Sequence, residues 1–568
     1  MKKPIEWKIK KTTNKKLPSF KSTLNIPEFV LKLLGAKDII NDQKLNQFLE
    51  PSVKDFIDPF LIPDMKKAVE RIEQAVKKHE KVAVYGDYDV DGTCATFIMW
   101  DFLYRHLKLD VIPFIPSRFD EGYGLNEQAI EELGNKGVKL IITVDCGIRD
   151  QGLISKFKDL DFIITDHHTL PEGEDFKTIA VHPKRKGSKY PFKEISGTAV
   201  AWKLIAALDD GNTYLNYLEF VALATVCDVM PLIDENRAIV KLGLDAMSKT
   251  ENIGLRTLIK TAGAEGQKLT AYHCGFVLGP RINAAGRLAE AIEVVRLFAT
   301  ESSQKAEQIA SELDELNRQR QELTMKTVEL AVEKAKSQSS EKLIFVFEPG
   351  WHEGIIGLVA GRLAEGYNRP AVAATIIEGK VLASARSGSG YHITNAIAVH
   401  SKYLTRYGGH AQAAGFSLEE KNLILFRDAL QKLANENISE EDMSAVIDID
   451  SELEDKDLTL ENAEWLEKFE PFGLGNSRPV FLVEDCTIID KKLIGREKQH
   501  VKLILSTGTQ NIYSKKFEAI HFNASNSYEK IQPGDRIDIV FSLEINSWNN
   551  HRKVQLKIKD IKRNENEK

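Results

Sequence analysis

The sequence predicts an α/β protein in which a doubly wound parallel sheet is joined by a long helix to a second, smaller α/β domain, with a β-barrel towards the C-terminus. Three observations predict it. Between residues 81 and 181 short apolar runs alternate with helical segments; residues 302–336 carry one apolar stripe without Gly or Pro; and beyond residue 476 the chain turns strand-rich.

At 568 residues the chain is too long for one core, and its 43% apolar content supplies material for several. Residues 1–70 read as a basic arm (Lys8, Lys10, Lys11, Lys15, Lys16), solvated or strand-contacting, followed by helical segments from Ile26. A helix over 64–78 is marked by Met65, Ala68, Val69, Ile72, Ala75 and Val76. Residues 71–301 hold the sheet. The runs 82–85, 111–115, 140–144, 162–165 and 178–181 are short and unbroken, as strands buried on both faces require, with helices expected at Thr93–His106 and Asn126–Lys136. Such a sheet binds ligands beyond the carboxyl ends of its strands. Residues 302–338 form the connector, with Ile309, Leu313, Leu316, Leu323 and Leu330 as its apolar stripe. A second α/β unit occupies 339–440. In 441–568, after Pro-Phe-Gly-Leu-Gly-Asn (471–476), strands at 480–483, 501–505, 537–541 and 554–558 alternate with turn signals at 506–509, 533–535 and 548–550, which fits a barrel of OB type.

No run approaches the roughly 18 apolar residues of a membrane span, and no apolar signal core follows the basic start, so a cytoplasmic protein is expected. The five cysteines lack the paired spacing of a zinc site or a disulfide framework and read as buried residues in a reducing compartment. A net charge of −6 argues only weakly against a nucleic-acid partner. Carboxylates around a metal site would contribute negative charge locally, while a basic groove elsewhere could still track phosphates.

The chemistry concentrates at strand ends. Gly-Asp-Tyr-Asp-Val-Asp-Gly (86–92) follows the first strand with Asp87, Asp89 and Asp91, whose mutual repulsion cations would relieve. Asp145 ends another strand, and Asp166, His167 and His168 end a third, so these groups should converge on one edge. Asp228 follows an apolar, helical run. One Asp after a strand is usually a cap or a turn former; three strand ends in succession, one bearing a triple-acid loop and one a His pair, point to metal. Carboxylates with one or two imidazoles suit Mn²⁺ or Mg²⁺, and two such ions roughly 3.5–4 Å apart clamp a phosphodiester. One histidine is expected to ligate and the other to hold substrate or to support a ligand from behind, without the spacing saying which.

Asp-His-His (166–168) is the signature of the DHH phosphoesterase superfamily, which the chain resembles over nearly its whole length from Ile26. It is most similar to the bacterial single-strand-specific DNA exonucleases within it. The resemblance includes 86–93, Arg-Phe-Asp-Glu-Gly-Tyr-Gly-Leu (118–125), Thr-Val-Asp-Cys-Gly-Ile (143–148), Tyr-Pro-Phe-Lys-Glu-Ile-Ser-Gly-Thr (190–198), Gly-Pro-Arg-Ile-Asn-Ala-Ala-Gly-Arg-Leu (279–288), Trp-His-Glu-Gly-Ile-Ile-Gly (351–357) and Gly-Gly-His-Ala-Gln-Ala-Ala-Gly-Phe (408–416). It implies that Asp89, Asp91, Asp145, Asp166 and Asp228 ligate metal, with Asp87 and His167 close by. It also implies hydrolysis of single-stranded DNA from the 5′ end to 5′-mononucleotides, in DNA repair and recombination. A single-stranded-DNA-binding protein and a repair helicase are candidate partners, and a monomer is expected. Cys227 stands where a small Ala is expected and His182 where Asn is more usual, both mild departures. The sequence ends after the barrel, so an extra C-terminal domain of some relatives is expected to be missing.

For the substrate, Arg281 and Arg287 suit a phosphate clamp, since a guanidinium fork holds two phosphate oxygens at once; the competing reading for either is an interdomain ion pair. Asn283 adds a hydrogen-bonding group. In the second domain His352, Arg386, Ser387, Gly409 and His410 combine donors with close-approach glycines, as a substrate-binding domain associated with the DHH unit would. Tyr513, Phe517 and Trp548 are candidate base-stacking residues of the barrel, each with barrel core as its alternative. Two other functions fit the same residues less well: a phosphodiesterase of short oligonucleotides or cyclic dinucleotides, which needs no barrel, and a non-catalytic replication or repair scaffold, which needs no complete acidic set.

Overall fold

The computed structural model of the chain describes residues 5–10, 17–21, 25–117, 124–171, 173, 176–388, 390–507, 515–548 and 551–564. Lys11, Lys15, Lys16, residues 118–123 and Tyr513 lie outside them, as does the side chain of Trp548. The described part of the basic arm is a strand, β1 (Glu6–Ile9), and the carboxylate of Asp450 holds Lys10 at 2.8 Å.

All five apolar runs of the first domain form strands: β2 (Lys81–Gly86), β3 (Val111–Phe114), β4 (Val138–Val144), β5 (Asp161–Thr165) and β6 (Ile179–Val181). They lie in the order β3-β2-β4-β5-β6, every pair parallel. Both faces are covered, with Val82, Val84, Ile142 and Ile163 in one core and Ala83, Tyr85, Ile141 and Ile164 in another. That is why the runs are continuous rather than alternating. From β2 the sheet grows one way to β3 and the other way to β4, so a crevice opens at their carboxyl ends.

The connector helix spans Ser303–Ala335, and the Ser302 side chain caps it by accepting from Lys305 N. Its two ends belong to different cores: Ala306, Ala310 and Leu313 pack into the first domain, Ala331 and Ala335 into the second. There β7 (Ile344–Phe347), β8 (Ala371–Ile377), β9 (Lys380–Arg386), β10 (Arg406–Gly409) and β11 (Ala413–Glu419) form a mixed sheet in the order β10-β11-β9-β8-β7. Only β7 and β8 pair in parallel.

After β12 (Val446–Ile449), which pairs in parallel with β1, and the short β13 (Ser451–Glu452), the barrel is built of β14 (Phe481–Ile494), β15 (His500–Thr507), β16 (Lys516–His521), β17 (Arg536–Trp548) and β18 (His551–Arg563). The order β14-β15-β16-β18-β17 closes through a β14–β17 pairing, a five-stranded OB arrangement. β16 carries no sequence signal of its own, because charged residues alternate with only two core residues, Phe517 and Ala519. Phe517 is 4% exposed, so it is barrel core and not a base-stacking residue. Phe29, Val30, Leu33 and Leu34 of the N-terminal helix Glu28–Ala36 share this core, with Phe29 edge-on to Phe481 at 5.8 Å. No described helix is long and apolar enough to cross a membrane.

Candidate metal centre

Three parallel strands deliver acids to one rim. Where β2 ends, the loop turns into the helix Val90–Asp101, and Asp89 caps it by accepting from Gly92 N at 3.0 Å. Asp145 follows β4 in the left-handed region (φ 61°), which Asp tolerates better than most residues. Asp166, His167 and His168 follow β5. Asp228 comes from the C-terminal end of the helix Leu218–Cys227, and the next residue, Val229, is also left-handed (φ 57°). For a β-branched side chain that is strained backbone, the kind that clusters at functional sites.

The ligand atoms converge in three overlapping groups, each within 4.8 Å: Asp87, Asp89 and Asp145; Asp91, His167 and Asp228; Asp145, His167 and His168. His167 Nε2 lies 3.2 Å from Asp145 Oδ1, 3.5 Å from Asp228 Oδ2 and 3.7 Å from Asp91 Oδ2. Even so, Asp145 Oδ1, Asp228 Oδ2 and both ring nitrogens of His167 are buried without a hydrogen bond among the described residues. Asp91 is held differently. Gly197 N and Thr198 N, at the start of the helix Gly197–Leu208, donate to its two oxygens at 2.6 and 2.7 Å. Position 197 must be Gly: a Cβ there would fall 2.3 Å from Asp145 Oδ1.

Burial, then Asp91 and Asp89, pushes Asp145 and Asp228 well above the ordinary carboxylate range; burial and Asp91 raise Asp89 as well. Burial outweighs the neighbouring acids at His167 and brings it down to about 4, so its ring is neutral at pH 7. A neutral imidazole facing three crowded carboxylates cannot balance their charge. A cation among them would, and an oxygen-rich set with imidazole fits Mn²⁺ or Mg²⁺. Asp166 is the exception among the acids. Its oxygens accept from His168 Nδ1 (2.8 Å) and from the amides of Ile148, His167 and His168. Burial alone would raise it, but the bond to His168 and the charge of that ring hold it well below the usual range. Burial likewise opposes the charge on His168, yet Asp166 lifts it to about 9.

Facing this rim across a cavity of about 640 Å³ is the second domain. Tyr88, Arg149, Asp150, Asp166 and His168 line the catalytic wall; Arg406, Tyr407, Gly408, Gly409 and His410 line the other. Gly409 makes a tight hairpin possible at φ 146°, where a Cβ would meet Ala413 O at 2.3 Å. Burial lowers the pKa of His410, and the charge of His168 across the cleft adds to this. Arg386, the last residue of β9, and Ser387 stand next to β11 but outside the cavity lining, Arg386 donating to Ala385 O and Ser387 to Gly388 O. His352 caps the helix Glu353–Tyr367 through Gly354 N.

Asn283 Oδ1 accepts from Val90 N of the acidic loop at 3.2 Å, and Arg287 donates to Gly354 O at 2.7 Å, bridging the two domains. The small residues between them let the helix approach the acidic loop, where Gly286 packs on Tyr88 O. Arg281 takes the ion-pair alternative: its Nε donates to Asp314 of the connector at 2.9 Å and its Nη1 to Val277 O. Arg149, Arg406 and Tyr407 went unnoticed in the sequence. Only their neighbours, Asp145 and Gly-Gly-His, carried a signal that could have directed attention to them.

Comparison with known proteins matches three stretches of the chain to family models. Residues 81–225 match the DHH family, N-terminal domain; 340–436 match the DHHA1 domain; 449–560 match the RecJ OB domain. The chain is 38% identical to the single-stranded-DNA-specific exonuclease RecJ of Bacillus subtilis (strain 168), over 98% of this chain and 70% of that one. It is 30% identical to the Haemophilus influenzae protein of the same name, over 95% and 97%. A crystal structure of RecJ from Thermus thermophilus in complex with Mn²⁺ superposes with a TM-score of 0.83 at 26% identity, covering 99% of this chain and 80% of that one. These matches favour the exonuclease over the dinucleotide hydrolase and the scaffold. With an acidic rim built for cations, a facing domain and a closed OB barrel, the chain belongs to the RecJ family of single-stranded-DNA-specific exonucleases.

Proposed function

We propose that the protein removes nucleotides one at a time from the 5′ end of single-stranded DNA, releasing 5′-mononucleotides, with two Mn²⁺ or Mg²⁺ ions in the acidic rim. The overlap of the ligand groups carries this reading. Asp145 and His167 each belong to two groups, so one set runs into the next without a gap, as a paired-cation site requires. Asp87, Asp89 and Asp145 would hold one ion, and Asp91, His167 and Asp228 the other. Asp166 is a ligand by the family resemblance, and its bonds suit it also to fixing the ring of His168. Polarity and product follow from that resemblance.

Bound ions supply Lewis acidity at the phosphate and activate the attacking water. The protein supplies position. His168 stands on the cleft side of the rim to donate to the phosphate, and Asn283 and Arg287 guide the strand along the catalytic wall. Gly409 and His410 receive it on the opposite wall and Arg386 and Ser387 beside that wall, with Arg406, Tyr407 and Arg149 lining the same cleft and His352 fixing the helix terminus to which Arg287 docks. Loading by a single-stranded-DNA-binding protein and a repair helicase, a monomeric state and a cytoplasmic location belong to the same proposal.

End-labelled single and double strands with one end blocked, followed with and without Mn²⁺, provide the test. The expected result is metal-dependent loss of a single strand with a free 5′ end and protection when that end is blocked. Protection by a 3′ block instead would reverse the polarity, and cleavage in excess chelator would remove the ions from the reaction.

A further inference from the structure

Residues 271–288 form one continuous helix, interrupted only by a π-turn at His273–Leu278. Its C-terminal half bears Asn283 and Arg287, which touch the acidic loop and the second domain. Moving towards the N-terminus along that face by threes and fours leads through Pro280 to Phe276 and Tyr272. There the helix is bare. Phe276 is 73% exposed and Tyr272 63%, and their rings are stacked at 5.3 Å with 23° between the planes. His273, whose Nδ1 accepts from Thr270 N, meets the Tyr272 ring edge-on at 5.9 Å. The π-turn that carries Phe276 is a feature frequent at functional sites.

We propose that Tyr272 and Phe276 form a base-stacking platform that grips single-stranded DNA on its way to the acidic cleft. This deepens the proposed function and rests on its reading of the substrate. Phe276 stands about 10 Å along the helix from Asn283, at about 1.5 Å per residue, so one rigid element carries both the platform and the residue that touches the acidic loop. A pair already stacked and braced loses little freedom on binding. An enzyme that advances one nucleotide per cycle needs a grip indifferent to sequence and easily released, and an aromatic face gives both, since every base has a π-face. A duplex cannot use it, because its bases are stacked on one another; the platform therefore adds to single-strand selectivity.

The test uses two double variants of the full chain, Tyr272→Leu/Phe276→Leu and the aromatic exchange Tyr272→Phe/Phe276→Tyr. Binding of a thirty-nucleotide strand is measured in chelator, with 2-aminopurine placed at successive positions. The leucine pair should weaken binding roughly ten- to a hundredfold and abolish a quenching that the parent protein shows at one or two adjacent positions. The aromatic exchange should restore both. The loss should shrink on a dinucleotide too short to reach the platform. A thermal shift with Mn²⁺ in every variant reports an intact fold, and the single variants Tyr272→Leu and Phe276→Leu carry the test if the double does not fold. Binding by the leucine pair equal to the parent's, or equal losses in the leucine and aromatic pairs, overturns the platform; the first result would leave this face to a protein partner. A parent protein that cleaves no single strand would sink the underlying function instead, and the same assays read that before any variant is made.

Discussion

The two walls of the cleft handle polar groups in opposite ways. On the catalytic wall, Asp145, Asp228 and His167 are buried with atoms that no described residue satisfies. In the facing domain, Gly409 of the wall is locked in a hairpin, and Arg386 and Ser387 beside it are held by backbone carbonyls. The first wall is incomplete until cations arrive, so its stability and its chemistry are coupled to metal. The second domain's groups bond within their own protein, as a preformed surface would require.

The contrast is broken most directly at Asp145. Asp145→Asn should cut nuclease activity by at least about a thousandfold, on the scale of losing a main source of transition-state charge stabilisation. Because burial and Asp91 push its pKa up, the charged form is the destabilised one, so in chelator the same variant should melt higher than the parent. Mn²⁺ should reverse the ranking: at a hundred times its dissociation constant it stabilises the parent by about 2.7 kcal/mol per site. A variant equally active, or parent melting unmoved by Mn²⁺, would dissolve the distinction between the walls.

On the facing wall, Arg406→Ala and His410→Ala should each raise KM for a single strand by about ten- to a hundredfold while leaving the Mn²⁺-induced thermal shift in place. Loss of that shift would mean the wall helps to hold metal. A smaller effect is expected at Arg281. Its pairing with Asp314, both side chains largely shielded, should give a coupling of about 1 kcal/mol in a double-mutant cycle of stability, with 5′-end preference retained.

Glu219 gives a control within the catalytic domain, away from the cleft lining. It is 6% exposed on the helix leading to Asp228, and burial lifts it from 4.5 to about 7 despite its bond from Thr250 Oγ1. The folded protein keeps this proton after the unfolded chain has released it. Its contribution is therefore full below pH 4.5 and lost as pH rises through 7, about 3 kcal/mol at about 1.4 per unit. Glu219→Gln should flatten that part of the stability profile and leave activity within a few-fold; an unchanged profile would refute the assignment.

Period and punctuation made much of the architecture legible. Five short apolar runs became five parallel strands because strands covered on both faces need apolar residues at every position, and the uninterrupted stripe after Ser302 became one helix. β16 escaped because only Phe517 and Ala519 face the barrel core. Side-chain partners escaped for another reason. Arg281 and Arg287 look alike in sequence, yet one meets Asp314 and the other Gly354 O, partners 33 and 67 residues away.

The sequence by itself determined which acids stand at strand ends, because strand period and chain order place them there whatever the distant chain does. Only the tertiary structure decided which of them carry uncompensated charge. Asp145 and Asp166 both follow buried strands, but a histidine two residues on and three amides neutralise Asp166, while Asp145 meets further carboxylates brought from the loop after β2 and from the helix before Asp228. Compensation of a buried charge depends on every group within a few ångströms, and those groups come from parts of the chain that only folding brings together.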